Sequence, residues 1–100
     1  MADLVLQLKA EYFNAIRDGR KPEEFRLYND FWRKRIEGKT FDRIVLTWGY
    51  PKSDDNERRI FRKWNGYRVT TITHPHFGNV PTKVFAIDVT SALAAQGDRT

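Results

Sequence analysis

The chain has 100 residues, 40% of them apolar and 14% aromatic, with a formal net charge of +5. That length points to one domain with a modest core. The absence of cysteine excludes disulfides and thiolate zinc sites, and no apolar run approaches the ~18 residues of a membrane span. The sequence is therefore expected to be cytoplasmic, without a signal peptide, and its basic balance (pI ≈ 9.7) favours a polyanionic partner.

In chain order, LVLQLK (Leu4 to Lys9) alternates apolar and polar residues and predicts a first strand. In AEYFNAIRDG, Tyr12, Phe13 and Ile16 recur at helical spacing and Gly19 is placed to stop the helix. EEFRLY (Glu23 to Tyr28) alternates again. Phe25 and Leu27 are expected on the core face, with Glu24, Arg26 and Tyr28 on the other. Asn29 or Asp30 caps a second short helix, FWRKRIEG, ended by Gly38. In DRIVLTWGYP the apolar run Ile44 to Leu46, followed by Thr47 and Trp48, predicts a central strand buried on both faces and ended by Gly49 and Pro51.

KSDDNERRIFRKWNG begins rich in turn residues and reads as an ordered loop or a brief helix. YRVTTITH (Tyr67 to His74) is rich in β-branched residues and predicts a strand; PHFGNVPT is a connection; KVFAIDV (Lys83 to Val89) is the last strand. The expected architecture is α+β, with about five strands curled into a small β-barrel and two short helices. The domain spans residues 1–90, and residues 91–100 form a flexible tail.

Several groups of residues carry possible chemistry. Lys21, Glu24 and Arg26 bring an ammonium, a carboxylate and a guanidinium within six residues. Arg recognises phosphate or carboxylate bidentately, Lys acts as a mobile point charge, and a desolvated Glu serves as a general base. The same residues also suit a solvated strand face whose ion pairs are worth about 0–1 kcal/mol each. In RRIFRKWNGYR, the cations Arg58, Arg59, Arg62, Lys63 and Arg68 interleave with Phe61, Trp64 and Tyr67. This mixture suits single-stranded nucleic acid, with cations on phosphates and rings on bases, or equally a core with a basic rim. FWRKR (Phe31 to Arg35) has the same mixture. In TWGYP, Trp48 and Tyr50 are placed to sandwich a base, or Trp48 to plug one end of the fold. His74 and His76 flank Pro75 without a third ligand at metal spacing, so a metal site is not expected and their role stays open.

LKAEYFNAIRDGRKPEEFRL resembles the N-terminal signature of the ASCH domains of the PUA-like superfamily. The resemblance lies in Leu8, Lys9, Tyr12, Ile16, Gly19, Lys21, Glu24 and Arg26, and the later strands are compatible with it to about Val89. It implies a small PUA-like β-barrel with a cleft beside the first helix, binding RNA or a nucleotide. Lys21, Glu24 and Arg26 would line that cleft, with Lys9 and Tyr12 at its rim. Lys21 and Arg26 would hold phosphate or sugar, and Glu24 would read a base edge or orient the lysine. Arg58, Arg59, Arg62 and Lys63 would extend a basic track.

Some members of the family act as hydrolases. Its acetylcytidine amidohydrolases use a Lys, a Thr and a Glu; here Lys21 keeps the lysine, Glu24 stands where they carry the Thr, and Pro22 replaces the Thr more usual after that lysine. The resemblance therefore also admits a ribonuclease or modified-nucleoside amidohydrolase, with Lys21 and Glu24 as an acid–base pair. No cofactor is expected beyond a divalent metal if the chain is a nuclease. An adaptor that has kept the fold and lost the ligand is a further alternative.

Overall fold

The computed structural model describes residues 2–92, and the expected flexible tail falls mostly outside that range. Six strands and two helices follow in the order β1 (Asp3–Leu8), α1 (Ala10–Arg17), β2 (Glu23–Leu27), α2 (Asp30–Ile36), β3 (Arg43–Trp48), β4 (Arg59–Lys63), β5 (Tyr67–Ile72) and β6 (Thr82–Asp88). They form two three-stranded sheets, ordered β1-β3-β4 and β2-β6-β5. No ladder joins the sheets into a closed barrel among the described residues.

In the first sheet β1 runs parallel to β3, with Leu4 opposite Ile44 and Leu8 opposite Trp48. A parallel pair needs a crossover, and here the crossover carries α1, β2 and α2. The core lies between the sheets. Leu4, Leu6 and Leu8 fill it from β1, Ile44 and Leu46 from β3, Phe85 and Ile87 from β6, with Phe13 and Ile16 from α1 and Ile36 from α2. Each such side chain contributes about 1.5–3 kcal/mol by leaving water. The expected two-sided burial of the central strand holds, since Ile44 through Thr47 are all buried. Asn29 caps α2 by accepting from the Trp32 N–H at 3.0 Å.

Two expectations change. The stretch read as an ordered loop or a brief helix holds a short 3-10 helix (Asn56–Arg58), in line with the second alternative, and then a strand that was not expected, β4. Its five residues, RIFRK, bury only Ile60, so its alternation is masked by cations. Antiparallel pairing with β3, Thr47 opposite Arg59 through Arg43 opposite Lys63, satisfies its backbone. The second change is the orientation of β2. Glu24 is the buried residue, 6% exposed, whereas Leu27 is exposed and Phe25 only half-buried. Apolar alternation assigns faces on the premise that carboxylates stay wet; here two cations follow Glu24 inward and Phe25 turns to face Lys21.

Candidate functional site

Four elements meet at one end of the molecule. The Gly49 N–H donates to the Leu8 carbonyl at 3.0 Å, prolonging the β1–β3 pairing and bringing Tyr50 beside Lys9. At the end of α1, Gly19 takes a left-handed φ of 80°, open to glycine without a Cβ penalty. The chain doubles back there, with the Arg20 and Lys21 N–H groups both donating to the Ala15 carbonyl at 2.8 and 3.1 Å. That turn sets Lys21 under α1, its Nζ 5.5 Å from the Tyr12 ring centroid and 4.4 Å from that of Phe25. After β5, a short 3-10 helix (Pro75–Phe77) is capped by His74, whose Nδ1 accepts from the His76 N–H at 3.0 Å. His74 is thereby placed 6.1 Å from Tyr12 and 6.4 Å from Phe25 between ring centroids.

These pieces enclose a cleft of about 410 Å³, within the range of small-ligand sites. At its floor Glu24 Oε2 accepts from Arg26 Nε at 3.1 Å and lies 2.8 Å from Nη2, and Oε1 lies 3.7 Å from Lys21 Nζ. Arg26 Nη2 also donates to the Gln7 carbonyl at 2.8 Å, so this side chain ties β2 to β1 across the gap between the sheets. Its guanidinium lies 5.0 Å from the Trp32 ring centroid. Arg26 thus spends two nitrogens on the protein. The long Lys21–Glu24 contact leaves donors on Nζ and accepting capacity on Oε1.

Burial is the largest influence on Lys21 and pushes its ammonium below the ordinary value of 10.5, against the pull of Glu24. The Tyr12 hydroxyl is pushed up, first by burial and then by Glu11 and Glu24. The lysine shift has a consequence for stability. Below both values Lys21 is protonated folded and unfolded, and the full cost of burying its charge is present. As pH rises from the folded value toward 10.5, the unfolded chain binds the extra proton and the folded state gains stability. The stability difference between wild type and Lys21→Met is expected to shift in favour of wild type as pH rises from neutral toward 10.5, measured by urea denaturation. A difference that is flat with pH would contradict the burial of this ammonium.

Of the residues singled out in the sequence, Lys9, Tyr12, Lys21, Glu24, Arg26 and Tyr50 line the cleft, Tyr50 at 88% exposure. Trp48 does not; it packs on Phe13, with Arg58 4.3 Å from its ring centroid. The second group of cations also lies away from the cleft. Arg58 pairs with Asp55 at 3.3 Å, Arg59 donates to the carbonyls of Pro51, Lys52 and Asp55, and Arg62 donates to that of Val89 at 3.0 Å. Arg68 grips Glu23 with two bonds of 3.0 Å, and Lys63 is exposed on β4. Of the interleaved rings, Trp64 and Tyr67 pack against the core, and Arg43 lies over Phe61.

His74 and His76 both line the cleft, as do Gln7, Trp32 and Phe77, which the sequence reading did not single out as site residues. For Trp32 the sequence held a signal in FWRKR; for Gln7 it held none, because the contact to Arg26 is through a backbone carbonyl. No group of three or more His, Asp or Glu placed to hold a metal occurs among the described residues, nor any helix there long and apolar enough to cross a membrane.

Fold and site together define a small α+β domain with an aromatic-walled cleft over a Lys–Glu–Arg floor. The chain matches no protein-family model, no curated protein and no solved structure.

Proposed function

We propose that this chain is an RNA- or nucleotide-binding domain of the ASCH, PUA-like kind, acting in the cytoplasm, and that the Lys21–Glu24–Arg26 cleft is its binding site. One observation carries the reading: a largely buried lysine with spare donors and a carboxylate with a spare acceptor share one cleft with the rings of Tyr12, Phe25, Trp32 and Tyr50. A nucleotide presents those complements, a phosphate for the ammonium, an exocyclic amino group for the carboxylate and a flat face for the rings. In this reading Lys21 holds phosphate, Glu24 reads the base edge, Arg26 fixes Glu24 in place, and Lys9 adds charge at the rim.

The test is titration of short single-stranded RNAs and mononucleotides by fluorescence anisotropy and calorimetry at low and high salt. Affinity should fall steeply with salt. Lys21→Ala should weaken binding roughly 10- to 100-fold, the worth of one hydrogen bond to a charged group. Salt-insensitive binding, or none to any RNA or nucleotide, would reject the proposal.

The depressed proton affinity of Lys21 favours a second reading, a hydrolase for RNA or a modified nucleoside. The unprotonated share of Lys21 would take a proton from water as that water attacks the phosphorus or carbonyl carbon, and would return it to the leaving oxygen or nitrogen as that bond breaks, while Glu24 holds the water in position. Turnover, with or without divalent metal, should then vanish in Lys21→Ala; turnover that survives this change would remove the assignment.

A further inference from the structure

The sequence FWRKR is not absorbed by the cleft, apart from Trp32. Helix α2 buries Ile36 in the core and turns Trp32 half-inward to line the cleft. Phe31 is left 52% exposed. Its ring stands nearly perpendicular to that of Trp32, with centroids 5.0 Å apart and planes at 82°, and Arg35 lies 3.7 Å from its centroid. With Arg26 over Trp32, the floor of the cleft continues outward as two adjoining rings flanked by cations: Arg26, Trp32, Phe31, Arg35.

The charges along this path are available. Arg33 is held by Asp30 and Glu37, but Lys34 and Arg35 make no ion pair among the described residues. In the second basic group Arg58, Arg59, Arg62 and Arg68 are engaged by carboxylates or carbonyls; Arg35 spends one nitrogen, Nη1, on the Phe31 carbonyl at 3.4 Å and keeps its other donors. A strand leaving the cleft past Trp32 therefore meets two cations that have no carboxylate partner among the described residues, and an exposed ring.

We propose that Phe31 and Arg35 form a second stacking subsite adjoining the cleft, and that the occupant is a single strand of RNA covering at least two nucleotides rather than a free mononucleotide. The inference rests on the nucleic-acid reading of the cleft. One nucleotide enters above Lys21 and Glu24. Its neighbour lays its base on the Phe31 ring or on the Arg35 guanidinium plane, and Lys34 and Arg35 neutralise the phosphates between and beyond them.

The experiment measures affinities of a pentanucleotide RNA and of the four nucleoside monophosphates for wild type, Phe31→Ala, Phe31→Tyr, Phe31→Leu and Lys21→Ala. Because Phe31 is exposed, the variants should fold as wild type does, which circular dichroism checks. Wild type should bind the pentanucleotide more tightly than any monophosphate. Phe31→Ala should weaken the pentanucleotide roughly 5- to 100-fold, the loss of one base–aromatic stack, and leave monophosphate affinity unchanged. Phe31→Tyr should restore the pentanucleotide affinity, whereas Phe31→Leu, apolar but without a ring face, should not.

Pentanucleotide binding that depends on Lys21 but is indifferent to Phe31→Ala overturns the subsite and leaves the cleft reading standing. So does equal affinity for monophosphate and pentanucleotide. Failure of every RNA and monophosphate to bind wild type overturns both. Dimerisation of wild type that Phe31→Ala abolishes, with RNA affinity unchanged, overturns the subsite in favour of a second copy of this chain on α2.

Discussion

Glu24→Ala is expected to destabilise the protein by about 3 kcal/mol, the lower end of the cost of removing one partner from a buried ion pair. Glu24 is 6% exposed and holds Lys21 and Arg26 on either side. Truncating it leaves two largely buried cations facing one another across the space of a missing carboxylate. For a domain of this size the change corresponds to a fall in Tm of roughly 12–24 °C. Glu24→Gln, which keeps an acceptor for Arg26 but loses the charge, should fall between wild type and Glu24→Ala. Thermal and urea denaturation of the three proteins decide the matter. A loss below about 1 kcal/mol would mean that the cluster behaves as a solvated surface pair. The same substitution should remove ligand binding, because Arg26 and Lys21 lose the group that fixes them.

Phe85→Ala is expected to cost about 3–5 kcal/mol. Phe85 is fully buried on β6, the central strand of the second sheet, with Tyr28 and Tyr67 at centroid distances of 5.0 and 5.1 Å. Truncation leaves a cavity that these rings only partly fill, and it loosens the strand pair that places Arg26 opposite Phe85. The comparison is with Phe31→Ala, where the ring is half in solvent and the stability change should lie within about 0.5 kcal/mol. Denaturant midpoints for the two variants should therefore separate widely. Similar midpoints would contradict the assignment of Phe85 to the core and Phe31 to the surface.

Local rules carried much of the fold. Leu4, Leu6 and Leu8 alternate into the core, Asn29 caps α2, Gly19 ends the turn after α1, and the continuous apolar run from Ile44 becomes a strand with neighbours on both sides. Each depends on residues close in sequence, whose periodicity or backbone preference is fixed by covalent geometry. The Lys21–Glu24–Arg26 set was legible for the same reason, as three charges at short spacing beside a turn.

Tertiary structure decided the rest. The sequence could not reveal that β2 turns Glu24 inward and Leu27 outward, because alternation fixes two faces and leaves their assignment to the partners across the sheet gap. Nor could it reveal β4, whose hydrogen bonds are supplied by β3 and whose own residues bury a single isoleucine. The sorting of eighteen Lys and Arg residues into bound and available cations lay beyond it as well. Arg62 is taken up by the carbonyl of Val89, which only the folded chain brings near, while Lys34 and Arg35 on α2 make no ion pair among the described residues. By itself, the sequence determined every element but β4, and the charged triad; contacts between residues far apart in the chain decided which face is buried and which charges find partners. Burial and long-range hydrogen bonding depend on spatial neighbours rather than on spacing along the chain.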